Sequence, residues 1–417
     1  MSGIITLDIV LAGGKGTGLY PLTTDRTKPA VPIGARWRVI DAVLNNINNS
    51  GGQHVYLLVE YKPDSLIKHV NNAWNQNGIQ VHIKKPTHKY DGTADAVYQN
   101  RGLVQKINPD VVNVFGGDHI YLMDVSQMNK FHLDNKADLT IAVIPLRLEE
   151  AAGKFGVLEV NQKGQVMGFK EKPEHPTPMP TNPEFCLASM GIYNFNPRQL
   201  VKYLRNDAKK AKPEGNNGEI AELVADNPNI YSLHDFGHNI IPAMVNGGRR
   251  VYAYNFATNR IIGAPAQPYW RDIGKLIDFY NANRDMMGVN PAIRFDLPNW
   301  PMRTFKEAET KPDVNPTARV LESLLAEGVV IGEKSLVEES SLSYNVKIGE
   351  RAVIFQSIVL GHATVGKRTK LNRTILDRGA NTPEDIEIGF NEDEDRARKF
   401  TIVPGGITVV PRNYQFK

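Results

Sequence analysis

Between Ile331 and Gly366 the chain repeats itself at a fixed interval: Ile331-Gly332, Ile348-Gly349 and Val365-Gly366 recur every 17 residues. That is close to three hexapeptide turns, with Val337, Val346, Val353, Ile358 and Leu371 as apolar residues between the pairs. A chain patterned in this way coils, because each turn buries one apolar side chain per side, turns tightly at Gly or Asn, and stacks on the next turn. The spacing predicts a parallel β-helix for the C-terminal part, with a small β-sandwich as the less regular alternative.

The rest of the chain has a different texture. Leu7 to Ala12 is a short apolar run that stops at a glycine cluster, and similar runs recur at His54 to Glu60, Val111 to Phe115 and Leu139 to Pro145. Amphipathic stretches of helical length, Ile40 to Asn48 and Pro63 to Trp74, lie between them. Alternating strand and helix signals predict an α/β sheet with ligand loops at the carboxyl ends of its strands. At 417 residues the chain is too long for one ordinary core. The division expected is an α/β domain over 1–287, a proline-rich linker over 288–317 and the β-helix over 318–417.

Charge narrows the partners. Forty-nine Lys and Arg against 45 Asp and Glu leave a net +4, scattered in mixed sign, which favours anionic small molecules in a basic pocket over nucleic acid. No apolar run reaches the roughly 18 residues that span a bilayer. Cys186 is the single cysteine, and the start MSGIITLDIVLAGG has no basic leader pattern; a reducing cytoplasm is the expected location.

The loop Gly13-Gly14-Lys15-Gly16-Thr17-Gly18-Leu19 follows the first strand directly. Closely spaced glycines let backbone amides converge on phosphate oxygens, although neither the Walker A nor the full Rossmann spacing is present. Lys28, held in Thr27-Lys28-Pro29-Ala30-Val31, completes the anion site or stands as a solvated charge. Asp118 follows the strand Val111 to Phe115 through Gly116-Gly117 and suits a hard divalent cation bridging phosphates. Asp272 is either a second carboxylate ligand or the N-cap of a helix over Lys275 to Asn283. In Phe169-Lys170-Glu171-Lys172-Pro173, Glu171 suits sugar hydroxyls and Lys172 a phosphate, or the run is an exposed strand end. His119, His234 and His238 lack zinc-ligand spacing.

Taken in order along the chain, Leu11-Ala12-Gly13-Gly14-Lys15-Gly16-Thr17, Lys28-Pro29-Ala30-Val31, Gly92-Thr93-Ala94-Asp95-Ala96-Val97, Gly117-Asp118-His119-Ile120-Tyr121, Glu171-Lys172-Pro173, Leu187-Ala188-Ser189-Met190-Gly191, His234-Asp235-Phe236-Gly237 and Tyr269-Trp270-Arg271-Asp272 resemble the glucose-1-phosphate adenylyltransferases. The resemblance implies a Rossmann-like sugar nucleotidyltransferase domain followed by a left-handed parallel β-helix. It also implies a homotetramer that makes ADP-glucose and pyrophosphate from ATP and α-glucose 1-phosphate for glycogen synthesis. By the same resemblance Gly13, Gly14, Gly16, Thr17, Tyr90 and Gly92 would contact the nucleotide, and Asp118 and Asp272 would hold Mg²⁺. Lys28 would steady the triphosphate, and Gly156, Glu171, Lys172 and Ser189 would bind glucose 1-phosphate.

The resemblance has departures. Gly18 stands where the family's loop carries an arginine associated with the departing pyrophosphate. This opens a second reading, a catalytically weakened regulatory subunit assembling with an active paralogue, and predicts that Gly18→Arg raises kcat if Gly18 has a negative φ. A third reading keeps the enzyme and changes the nucleoside triphosphate. Asp25, Glu60, Lys89 and Asp91 also depart, in segments that bind or relay an activator, leaving Arg26, Arg38 and Arg398 as candidate effector contacts.

Overall fold

The computed structural model describes residues 3–416 apart from 76–78, 215–219, 221, 222, 225 and 266. Apolar runs without polar alternation become strands buried on both faces. Thr6–Ala12 lies at the middle of a nine-stranded sheet, with His54–Val59 on one side and Val111–Gly116 on the other, both parallel to it. Val81–Lys84 continues one side in parallel, and Phe185–Phe195 continues the other in antiparallel. The sheet is therefore mixed. The chain leaves Thr6–Ala12 for strands on opposite sides of it, and the crevice beyond this reversal of strand order is where an open α/β sheet takes its ligand.

The helix Val39–Asn49 shows how sequence sets an element here. Its buried face carries Val39, Ile40, Val43, Leu44 and Ile47, at spacings of one side of a helix. Asp41 accepts from the Arg38 amide at 2.8 Å to close its first turn, and Gly51, at φ 81°, follows its end. Residues beyond 288 run back over this helix: Trp300 Nε1 donates to Asn46 Oδ1 at 3.3 Å, Thr304 Oγ1 to Asp41 Oδ2 at 2.8 Å, and Asn45 Nδ2 to the Arg303 carbonyl at 2.8 Å.

From Asp313–Val314 the chain forms three parallel ladders. The 17-residue period is the rung: Ile331, Ile348 and Val365 stack in one sheet, Val337, Ile354 and Leu371 in the second, and Leu342, Val359 and Leu376 in the third. The C-terminal part is thus a left-handed β-helix of the hexapeptide type. Two details differ from the sequence reading. Ile354 rather than Val353 enters the core, a one-residue difference that inverts the face in a strand. Gly and Asn turn only one of the three corner columns, Gly328, Asn345, His362 and Gly379; a second column is Lys334, Arg351, Arg368 and Asp385, and the third is Glu322, Glu339, Gln356 and Arg373, all at positive φ. Their backbone amides bond the rung below, as Arg351 does to Glu333 at 2.8 Å and Arg368 to Glu350 at 2.9 Å, offsetting the roughly 1–2 kcal/mol cost of a left-handed residue. The repeated glycines serve close approach instead: a Cβ on Gly349 would stand 2.7 Å from the Lys367 nitrogen.

The two parts share a core. Leu19, Leu22, Ile273 and Phe279 pack in one cluster with Ile358, Ile375, Ile407 and Val409 of the β-helix. Arg26 pairs with Asp377 across this boundary, and Tyr280 donates to the Gln356 carbonyl at 2.8 Å. The back of the glycine loop is therefore braced by the β-helix.

Candidate active site

After Ala12 the chain turns through Gly13-Gly14-Lys15-Gly16 into a 3₁₀ turn, Thr17–Leu19. Thr27 Oγ1 donates to the Gly14 carbonyl at 3.2 Å and Thr23 Oγ1 to the Gly16 carbonyl at 2.9 Å. With those carbonyls tied back, the amides of Gly14, Lys15, Gly16 and Thr17 have no acceptor among the described residues; successive unpaired donors in a glycine-rich turn attract an anion. Gly16 has φ 64°, and a Cβ there would lie 2.7 Å from Lys28 Cβ. The loop thus rests directly on the Lys28 stem.

Strand Val111–Gly116 delivers Asp118 at its carboxyl end. The strand Trp270–Asp272 pairs antiparallel with His119–Tyr121, placing Asp272 opposite His119. Lys28 Nζ lies 2.9 Å from Asp118 Oδ2 and 3.0 Å from Asp272 Oδ1. Burial opposes charge on Asp118, but the Lys28 and His119 charges outweigh it and hold its carboxyl below the usual range. For Lys28, burial is likewise outweighed by Asp118 and Asp272, and its ammonium is raised above the ordinary value. Asp272 is not a helix cap: the helix runs Leu276–Arg284, its N-cap is Lys275, and Asp278 accepts from the Lys275 amide at 2.8 Å.

Donor atoms of Asp118, His119 and Asp272 all lie within 4.8 Å of one another. The two carboxylates supply the oxygen ligands that a hard divalent cation takes, and the Lys28 ammonium that rests between them marks the point where they hold positive charge. His119 lies 3.4 Å from Asp118 Oδ1; it lacks zinc spacing, and the one sequence signal for it is that it directly follows Asp118.

A cavity of about 470 Å³ opens from this cluster. Gly13, Gly14, Tyr90, Gly92, Asp118, Glu171 and Lys172 line it. Gly92 admits no side chain, since a Cβ would stand 2.3 Å from the His234 carbonyl oxygen. Glu60 accepts from the Tyr90 amide at 2.9 Å and lies in the same wall. At the far end, burial first and the neighbouring Asp235 second push the Glu171 carboxyl up to about 7. Asp235 is a wall residue that sequence reasoning did not single out. Lys172 Nζ is 3.7 Å from Glu171 Oε1 with its side chain 55% exposed. Gly156 and Ser189 stand one layer back: the Ser189 amide donates to the Gly156 carbonyl at 2.8 Å, and a Cβ on Gly156 would meet the Phe169 ring at 2.4 Å. Thr17 is exposed at the start of its turn, outside the cavity lining.

The three arginines do not converge on an open pocket. Arg26 is buried against Asp377, Arg38 donates to Ser65 Oγ at 2.7 Å and faces Glu307 at 3.4 Å, and Arg398 pairs with Glu394 and Asp395 at 3.3 and 3.2 Å. Arg398 shares no partner with the other two.

Gly18 answers the question raised by its sequence. Its φ is outside the left-handed region, yet a Cβ would lie 2.1 Å from the Gly274 carbonyl oxygen and 3.6 Å from Lys275 Cα. The Asp272–Lys275 segment occupies the space of a side chain, so the glycine is a local redesign of the loop's packing. A permitted φ at Gly18 does not provide room for an arginine, so the gain in kcat expected of Gly18→Arg does not follow.

The chain matches the nucleotidyl transferase family over residues 7–288 and a GlmU-like, C-terminal hexapeptide family over residues 307–410. It is 39% identical to a glucose-1-phosphate adenylyltransferase of Thermus caldophilus over the full length of both chains. Identity is 38% to a protein of the same name from Thermodesulfovibrio yellowstonii, covering 97% of this chain and 96% of that one. A namesake from Aliivibrio fischeri strain MJ11 is 38% identical over 99% and 98% of the two chains.

Proposed function

The chain belongs to the glucose-1-phosphate adenylyltransferase family, and from that premise we infer that it makes ADP-glucose and pyrophosphate from ATP and α-glucose 1-phosphate around a bound Mg²⁺. The reading is supported above all by one juxtaposition: unpaired loop amides and the Asp118–Lys28–Asp272 cluster at one end of a cavity whose other end carries Glu171 and Lys172. A reaction in which a phosphate oxygen attacks the α-phosphorus in line needs two polyanions held in register and their charge neutralised.

Asp118 and Asp272 would hold the cation, which supplies charge neutralisation and a template for the phosphate oxygens. The amides from Gly14 to Thr17 hold the triphosphate, and Tyr90 and Gly92 shape the wall beside the nucleoside. Lys28 keeps the two carboxylates together while the site is empty and turns its charge to the phosphates when substrate arrives. Glu171 accepts sugar hydroxyls, and Lys172 pairs with the sugar phosphate. We further assign a homotetramer in the cytoplasm, on the strength of the family; among the described residues no helix is long and apolar enough to cross a membrane.

The test is Asp118→Asn, which keeps size and hydrogen bonding but removes the charge. Turnover should fall about 100-fold or more while the fold is kept. Near-normal turnover would remove Asp118 from the mechanism.

A further inference from the structure

A second concave surface lies away from the catalytic cavity and shares none of its lining residues. It has a volume of about 660 Å³, in the range of small-molecule sites. Five cations line it, Arg101, Arg198, Lys202, Arg205 and Lys209, and among the described residues no carboxylate does. Four of them come from the helix Pro197–Asp207 and the two residues beyond it, at spacings of four, three and four that put them on one face. Like charges so spaced repel and weaken a helix.

Among the described residues Arg198, Lys202, Arg205 and Lys209 have no side-chain acceptor and no ion-pair partner. The guanidinium of Arg101 lies 4.0 Å over the Tyr98 ring and donates to the Tyr98 carbonyl at 2.8 Å, which fixes it at the rim. Val104 and Val201 form an apolar floor. The charge is gathered in one concavity on a chain whose remaining charges are mixed in sign. That confinement favours a compact polyanion over nucleic acid, which calls for an extended basic stripe.

We propose that this groove binds a small molecule carrying two or more phosphate groups. Its position gives such a ligand contact with the catalytic cavity's framework. Asp207, the last residue of the basic helix, accepts from Ser232 Oγ at 2.8 Å and bonds His234 Nδ1 at 2.9 Å. The His234 carbonyl accepts from the Ala94 amide at 2.8 Å, and the next residue, Asp235, lines the catalytic cavity.

The experiment is calorimetric titration of the full chain with tripolyphosphate, in metal-free buffer with the catalytic cavity saturated by ADP-glucose. One equivalent should bind in the groove, beyond any that enters the glycine-loop end of the catalytic cavity, which ADP-glucose leaves open. Replacing three cations together, Arg198→Ala, Lys202→Ala and Arg205→Ala, should weaken binding about tenfold or more, while the melting temperature does not fall and basal ADP-glucose synthesis stays unchanged. Removing three exposed cations elsewhere, Lys68→Ala, Lys154→Ala and Lys163→Ala, should leave binding as it was. Equal affinity in the first variant, or equal loss in the second, overturns the proposal. So does a wild-type chain that ignores tripolyphosphate, and an oligomer that dissociates in the first variant would then make the groove a contact between copies. Absence of ADP-glucose binding would count against the catalytic reading instead, so the two failures are distinguishable.

Discussion

Gly18→Ala adds a single methyl group, and the structure sets what that must do. The new carbon would start 2.1 Å from the Gly274 carbonyl oxygen, whereas carbon and oxygen in contact settle at about 3.3 Å or more. The glycine loop and the Asp272–Lys275 segment must therefore part by about 1 Å. Neither side yields easily: Leu19 is packed behind the loop and Ile273 behind the segment, in the cluster shared with the β-helix. Overpacking of this kind costs about 1–3 kcal/mol, a drop of a few degrees in melting temperature for a protein of this size. The catalytic consequence is larger, because Asp272 is two residues from Gly274 and its Oδ1 is 3.0 Å from Lys28 Nζ. A displacement of about 1 Å at a reacting centre costs on the order of 100-fold in rate. Steady-state pyrophosphate release and a thermal melt on the same preparation read both effects. Gly18→Arg should lose activity in the same way and gain none. Wild-type kcat and melting temperature in Gly18→Ala would show that the segment moves freely and that the packing argument is mistaken.

Lys172→Ala should raise KM for glucose 1-phosphate while leaving that for ATP little changed; equal loss for both substrates would indicate a structural role. With the Glu171 carboxyl near 7, KM for glucose 1-phosphate should rise as pH falls through about 7 and the carboxylate takes a proton, and Glu171→Gln should flatten that component of the profile; an identical profile in the variant would exclude Glu171 as its source. Asp8 is buried between Thr6 and Asn113, and burial pushes its carboxyl from 3.8 up to about 6. A raised folded value means that ionisation opposes folding, a penalty absent below about pH 4 and complete above about pH 6. Asp8→Asn should therefore stabilise the protein by about 3 kcal/mol near pH 8 and hardly at all near pH 4, and equal melting shifts at both pH values would contradict the burial account.

Much of this could be read along the chain wherever local pattern and tertiary environment agree. The run Leu7 to Ala12 reads as a strand because it is apolar throughout and ends at glycines, and the central sheet buries it on both faces. The 17-residue period survives because stacked rungs must repeat in register. What stayed hidden depends on chain segments meeting from far apart. Asp272 reads equally well as a helix cap until its strand pairs with His119–Tyr121, about 150 residues earlier. Nothing local to Gly18 announces the Gly274 carbonyl, and nothing near Glu171 announces Asp235. Corner residues such as Arg351 and Arg368 gave no turn signal, because the left-handed conformation is imposed on them by hydrogen bonds to the preceding rung.

The most direct test of the account is product formation by the purified chain with glucose 1-phosphate, Mg²⁺ and each of ATP, UTP, GTP and TTP in turn. The account predicts one ADP-glucose per pyrophosphate released, with ATP turned over well above the other three and no partner protein required. Preference for another base, or no sugar nucleotide until a second subunit is added, would contradict it.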